Sequence, residues 1–152
     1  MSYEEWTYYG RFRDQTVLRV EKPETGYTER KTPTILRVLA DDHVGWGYNG
    51  TGTSQAAAHI LADALGLGDP DLAGIGFLGE EWNETLRTLA EDFCDEVLMQ
   101  LPDEWRLSRI AVLRWALGWY TQLGISPTPV ILRRLPRPGT VREWRLDLPP
   151  RP

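Results

Sequence analysis

The sequence predicts an α+β fold, a small antiparallel sheet packed with about three helices plus a C-terminal β-hairpin. Three observations carry this expectation. Trp6 to Arg13 alternates apolar and polar positions with the two-residue period of a strand and is followed by two short β-branched runs, two later stretches repeat apolar residues at helical spacing, and seven of the eleven prolines gather from Pro127 onward.

The elements follow in chain order. Trp6 to Arg13 sets Trp6, Tyr8 and Phe12 against Thr7, Arg11 and Arg13, the pattern of a half-buried strand. Asp14-Gln15 reads as a turn, Thr16 to Glu21 as the β-branched return strand, and Ile35 to Leu39 as a third strand beyond the polar loop Lys22 to Pro33. The Ala-rich run Ser54 to Leu65, with Thr53 or Ser54 as its cap and Gly66 past its end, predicts a helix. Asp69 to Gly79 is dense in Gly and Pro and reads as a connection. Trp82, Leu86, Leu89, Phe93 and Val97 then form one amphipathic stripe running to about Leu101, with most of the acidic excess on the other face. Pro102-Asp103 breaks that helix.

Ser108 caps a third helix over Arg109 to Leu123, ended by Gly124. Apolar residues surround it almost completely, leaving Arg109 and Arg114 as its only charges. A helix of that kind must be buried, and in a chain this small a partner subunit is one way to bury it. Val130 to Leu135 and Val141 to Leu148 flank Pro136 to Thr140 and predict a hairpin. The organisation expected is therefore a core domain over 1–124 and a Pro/Arg-rich hairpin extension over 125–152 that packs on it.

Composition narrows the function classes. One Cys in 152 residues forms no internal disulfide or Cys-rich zinc site, and no apolar run approaches the roughly 18 residues that span a bilayer. The start Met1 to Trp6 lacks the basic and apolar regions of a secretory signal, so the cytoplasm is the expected compartment. The net charge of −5 is uneven: 41–79 holds five acidic and no basic residues and 80–104 nine and one, whereas 130–152 holds six basic and two acidic. An acidic centre disfavours nucleic acid as a partner, because phosphate binding needs clustered Lys and Arg.

The most unusual segment is Gly45-Trp46-Gly47-Tyr48-Asn49-Gly50-Thr51-Gly52-Thr53-Ser54-Gln55. Its glycines permit close backbone approach, and it runs into a helix N-terminus whose unpaired N–H groups favour an anion. Thr51, Thr53 and Ser54 add hydroxyls, while Trp46 and Tyr48 add flat surfaces for a ring or base. The glycine spacing is neither that of a dinucleotide fingerprint nor that of a P-loop. The same residues also suit a plain strand-to-helix turn, with Trp46 and Tyr48 in the core and Thr53 or Ser54 capping. Both readings stand open at the level of sequence.

Trp46-Gly47-Tyr48-x-Gly50-Thr51-Gly52-x-x-Gln55-x-Ala57, followed by Ile60-Leu61, resembles a small prokaryotic and phage family known as domain of unknown function 6166. Tyr9-Gly10-Arg11, Phe93, Val97, Leu101-Pro102-x-Glu104-Trp105-x-Leu107-Ser108, Ile110 and Trp115-x-Leu117 are similar to that family too, so the likeness covers about Tyr8 to Leu117. Thr53-Ser54 and His59 depart from its pattern, and 118–152 lies outside it. The resemblance implies a compact α+β domain with no assigned reaction, in phage or mobile-element settings.

Weaker constellations carry less. Asp41-Asp42-His43 reads as a turn, and His59 with Asp63 as a solvated helix surface rather than a metal site. The carboxylates of the acidic helix complement its dipole or face solvent, and Cys94 beside Phe93 reads as a buried thiol. Trp82, Trp115 and Trp119 are expected in the core, and Trp6, Trp105 and Trp144 at element edges.

Together these residues point to a non-enzymatic, homo-oligomeric binding protein holding a phosphate-bearing, nucleotide-like small molecule at the Gly-rich loop. Gly50 and Gly52 would give backbone approach, Thr51, Thr53 and Ser54 oxygen contacts, and Trp46 or Tyr48 stacking. The alternative is an interaction module, an anti-defence protein or inhibitor, that meets a host or self partner through its acidic helix. No catalytic residue, metal ligand or cofactor is assigned, which ranks an enzyme behind both.

Overall fold

The structure is a computed structural model that describes residues 6–11, 15–21, 35–40, 44–48, 50–76, 79–80, 82–136 and 146–147. Five strands form one antiparallel sheet: β1 (Trp6–Arg11), β2 (Thr16–Glu21), β3 (Ile35–Ala40), β4 (Glu104–Ser108) and the two-residue β5 (Leu146–Asp147), in the order β3-β2-β1-β4-β5. The helices are α1 (Thr51–Leu65), α2 (Pro70–Ala73), α3 (Glu84–Glu96), α4 (Arg109–Leu123) and α5 (Val130–Arg133). The α+β class expected from the sequence is the observed one. The loop over Lys22 to Pro33, the Asp41-Asp42-His43 turn, and Trp144 lie outside the described residues.

The period-two reading of β1 holds because one sheet face is buried. Tyr8 and Val17 are fully buried, and the register places Tyr8 opposite Arg19 and Gly10 opposite Val17. The other face is open. Tyr9 pairs with Arg106, whose guanidinium lies 5.5 Å from the Tyr9 ring centroid, and Val38 stands in solvent.

β4 is an element the sequence reading passed over. Glu104 to Ser108 alternates exposed and buried residues between Pro102 and the start of α4, and it adds to the free edge of β1. It carries Trp105 into the core opposite Gly10, where a Cβ would run into the indole. Glycine at position 10 is therefore a packing requirement. Trp105 is a central core residue rather than one at an element edge.

α1 is the central helix, with nine buried residues, and it packs between the sheet and α3 and α4. Ala56, Ala57 and Ala58 are all fully buried, and their small side chains let neighbours approach on more than one side. α3 begins at Glu84, capped by Asn83, whose Oδ1 accepts from the Leu86 N–H at 3.0 Å. Trp82 therefore precedes the helix and is exposed, a correction to its expected place in the core stripe. The helix ends at Glu96, and a single 3₁₀ turn, Leu98–Gln100, replaces its expected last turn. The Asp69 to Gly79 connection contains α2, capped by Asp69 with Pro70 in its first turn.

α4 has the bounds expected of it. Ser108 Oγ accepts from the Ala111 N–H at 3.2 Å, and Gly124 is left-handed. Eight of its fifteen residues are buried within the single chain, including Arg109 and Arg114, so these positions need no partner subunit to cover them. The C-terminal region differs from the expected hairpin. Val130–Arg133 is a helical turn whose Leu132 is buried in the common core, and Leu146–Asp147 pairs with β4 rather than with residues 130–135. A short run with Leu132 facing inward satisfies either period, and packing on α4 selects the helical one.

Candidate functional site

The Gly-rich segment is a built turn. The Gly45 N–H donates to the Gly52 carbonyl at 3.0 Å, and the Gly47 N–H donates to the Leu98 carbonyl at 2.9 Å, pinning the turn to the 3₁₀ segment. Gly47 has φ +80°, which favours glycine. The Tyr48 ring lies against the backbone of Gly45 and Gly50, leaving no room for a Cβ at either. Three of the glycines thus have local structural reasons.

The seven residues singled out by sequence divide between interior and surface. Trp46 is 5% exposed, its Nε1 donates to the Asp103 carbonyl at 3.1 Å, and its ring meets Trp105 edge-on at 5.6 Å. Its ring is a core surface and offers no face for stacking. Thr53 is fully buried and its hydroxyl donates to the Tyr48 carbonyl at 2.7 Å, so it closes the turn. Ser54 hydrogen-bonds the Cys94 thiol. Neither Thr53 nor Ser54 caps α1, because the helix starts earlier, with Gly50 at the N-cap and the first helical bond from the Ser54 N–H to the Gly50 carbonyl at 3.0 Å.

At the surface remain Tyr48, 49% exposed, with Thr51 exposed and Gly50 and Gly52 partly so. They surround the N-terminus of α1, which has no side-chain cap and no acidic residue in its first turn. By contrast Asp69, Asn83 and Ser108 cap α2, α3 and α4. The positive end of the α1 dipole thus lacks a side-chain cap and a first-turn carboxylate, and an aromatic ring lies beside it.

A second polar cluster was not legible in the sequence. Asp63, read as part of a solvated helix face, accepts from Tyr8 Oη at 2.7 Å and Trp6 Nε1 at 3.0 Å on Oδ2, and from Arg19 Nη1 at 2.9 Å on Oδ1. The guanidinium carbons of Arg19 and Arg109 lie 3.5 and 4.2 Å from the Trp6 ring centroid, and the buried Arg109 donates Nε to the Ala64 carbonyl at 3.0 Å. Burial, then the Asp63 charge and its hydrogen bond, push the Tyr8 phenol far above its ordinary range. Both Asp63 oxygens are committed to partners, so the cluster fastens β1, β2 and α4 to α1 rather than holding a base ready for a substrate.

The remaining candidates resolve plainly. His59 is half-buried, and burial lowers its pKa against the opposing charges of Asp71 and Asp69. No group of three His, Cys, Asp or Glu residues placed to hold a metal occurs among the described residues. On α3, Glu84, Glu91, Asp95 and Glu96 face solvent, but Asp92 accepts from Trp119 Nε1 at 2.7 Å and belongs to the α3–α4 contact. Cys94 is buried and burial raises its thiol pKa. Among the described residues no helix is long and apolar enough to cross a membrane.

No family model, no curated protein and no solved structure matches the chain.

Proposed function

We propose that the chain is a non-enzymatic binding protein that holds a phosphate-bearing, nucleotide-like small molecule at the N-terminus of α1. The observation that supports this reading is the contrast in capping: α1 lacks a side-chain cap and a first-turn carboxylate, whereas Asp69, Asn83 and Ser108 cap the next three helices. Backbone N–H groups at Thr51 and Gly52 would meet the phosphate, the Thr51 hydroxyl would add a contact, and Tyr48 would stack on the ring. Trp46, Thr53 and Ser54 would hold the turn instead of the ligand. A cytoplasmic location and a phage or mobile-element setting belong to this reading.

The test is titration with ADP and with inorganic phosphate, alongside mass spectrometry of compounds released from the purified protein. Thr51→Asp separates the roles, because a carboxylate in the first turn stabilises the helix by about 0.3–1 kcal/mol while it repels an anion. The expected result is a more stable variant that no longer binds. Absence of binding by either probe at millimolar concentration, with no phosphate compound released, overturns the reading.

A second reading is favoured by the exposed carboxylates Glu84, Glu91, Asp95 and Glu96 along α3. In it the chain is an interaction module, an inhibitor or anti-defence protein, that meets a host partner through this acidic helix. Reversing Glu91 and Asp95 would then abolish partner binding and leave ADP titration unchanged.

A further inference from the structure

α2 and the approach to α3 hold two large apolar side chains out in solvent, Leu72 on α2 at 86% and Trp82 just before Asn83 at 69% exposure. The Asn83 N–H donates to the Gly74 carbonyl at 3.0 Å, joining the end of α2 to the start of α3. The Arg87 guanidinium carbon lies 4.2 Å from the Trp82 ring centroid, and its Nη1 donates to the Gly76 carbonyl at 3.3 Å. A tryptophan stacked in this way has already lost much of its rotamer freedom, so docking onto it costs less entropy. Asp69, Glu80 and Glu84 are exposed along the same connection, and 69–104 contains eleven acidic residues against Arg87 alone.

The complementary surface lies further along the chain. Residues 105–136 contain no acidic residue, and of their five arginines Arg109 and Arg114 are buried and Arg106 lies by Tyr9 on the open sheet face, which leaves Arg133 and Arg134 for this surface. Leu123 at the end of α4 is 53% exposed and Val130 on α5 is 50% exposed. Leu132 anchors α5 in the core, while Arg133 and Arg134 beside it are exposed. One chain therefore carries exposed Leu72 and Trp82 along a stretch with exposed carboxylates, and exposed Leu123 and Val130 along a stretch with exposed Arg133 and Arg134.

We propose that these two surfaces meet between copies of the chain, with Leu72 and Trp82 of one copy covered by the Leu123, Val130, Arg133 and Arg134 region of the next. Charge complementarity selects a second copy, because both halves of the contact are present on the same molecule. Such a contact joins unlike surfaces, so it closes into a ring or extends. The bases for self-association suggested by the sequence and by the structure differ: α4 covers most of its apolar surface internally, and this contact uses other residues.

The test is the mass of the whole protein by sedimentation, from micromolar to about 1 mM, in low and high salt. The expected result is a mass that rises above one chain with concentration and falls back in about 0.5 M salt, where exposed charges are screened. Trp82→Ser alone, and Arg133→Glu with Arg134→Glu, are each expected to weaken association about tenfold or more, since buried aromatic and arginine anchors dominate such contacts. All are surface changes, so melting temperature stays near that of the parent. Mixing the Arg133→Glu/Arg134→Glu chain with a Glu80→Lys/Glu84→Lys chain is expected to restore association between the two. A single-chain mass at every concentration overturns the proposal, as does association that none of these variants weakens or a mixture no stronger than its parts.

Discussion

The Tyr8 hydroxyl donates a 2.7 Å hydrogen bond to Asp63 Oδ2, joining the first strand to the central helix across 55 residues of sequence. Trp6 and Arg19 converge on the same carboxylate. Asp63→Ala would remove the carboxylate on which three donors converge in a largely buried place, with the Asp63 and Arg19 side chains only 16% and 23% exposed, although Trp6 Nε1 keeps its 2.8 Å bond to Tyr8 Oη. The expected loss is about 3 kcal/mol in urea denaturation. Asp63→Asn keeps one oxygen and should lose less. A cost under about 1 kcal/mol for the alanine variant would show that the cluster does not fasten the sheet to α1.

The same phenol predicts an alkaline limit to stability. In the unfolded chain Tyr8 titrates near its ordinary value of 10.0, whereas in the folded protein burial and Asp63 keep it protonated well beyond that. The stability from this difference is fully present below pH 10 and is lost as pH rises above it, because there the folded state binds the extra proton. Burial raises Tyr120 in the same direction. Unfolding free energy measured from pH 8 to 11 should fall more steeply for the parent than for Tyr8→Phe, and equal slopes would refute the assignment.

His59 sets a limit on the acid side with the opposite sign. Burial lowers its folded pKa below the ordinary 6.5, so in that interval the unfolded chain binds the extra proton. Its contribution is complete above about pH 7 and declines as pH drops through 6.5 toward the folded value. In thermal melts from pH 8 to 5, His59→Gln should flatten this decline, leaving the carboxylate-driven part at lower pH.

Gly10 and Trp105 make a packing pair in which only one side has volume. Gly10→Ala drives a methyl group into the indole and is expected to destabilise by about 2 kcal/mol, the usual scale for overpacking. Combining it with Trp105→Phe should recover part of that loss. Strict additivity in the double-mutant cycle would mean that the strand yields rather than the ring.

Two threonines two positions apart test how the Gly-rich turn divides its labour. Thr53→Val removes the buried hydroxyl that donates to Tyr48, at an expected cost of about 1–2 kcal/mol. Thr51→Val, at an exposed position, should change stability by less than about 0.5 kcal/mol while weakening ADP binding. The reverse ranking in denaturant would place the turn's anchor at Thr51.

Legibility followed the range of the cause. The limits of α4 were readable because Ser108 and Gly124 act on backbone groups within four residues of themselves. β1 was readable because apolar and polar residues alternate along it, and β2 and β3 because they are short β-branched runs bounded by polar residues. β4 was missed since five residues between Pro102 and Ser108 show only a brief alternation, and their strand identity comes from the edge of β1. Trp82 was misplaced because its spacing to Leu86 continues the apolar stripe. Asn83 starts the helix one position later, and the capping bond outweighs the pattern.

By itself, then, the sequence determined the α+β class, the three long helices, the first three strands and the unusual turn leading into α1. Only tertiary structure decided which of the turn's residues face solvent, sending Trp46 and Thr53 inward and leaving Tyr48 and Thr51 outside. It also decided that Asp63 gathers Trp6, Tyr8 and Arg19, partners between 44 and 57 residues away. Periodicity and capping are encoded within a few residues. The partner of a side chain is settled by which elements the sheet and helices bring together, and that appears only once the core has closed around α1.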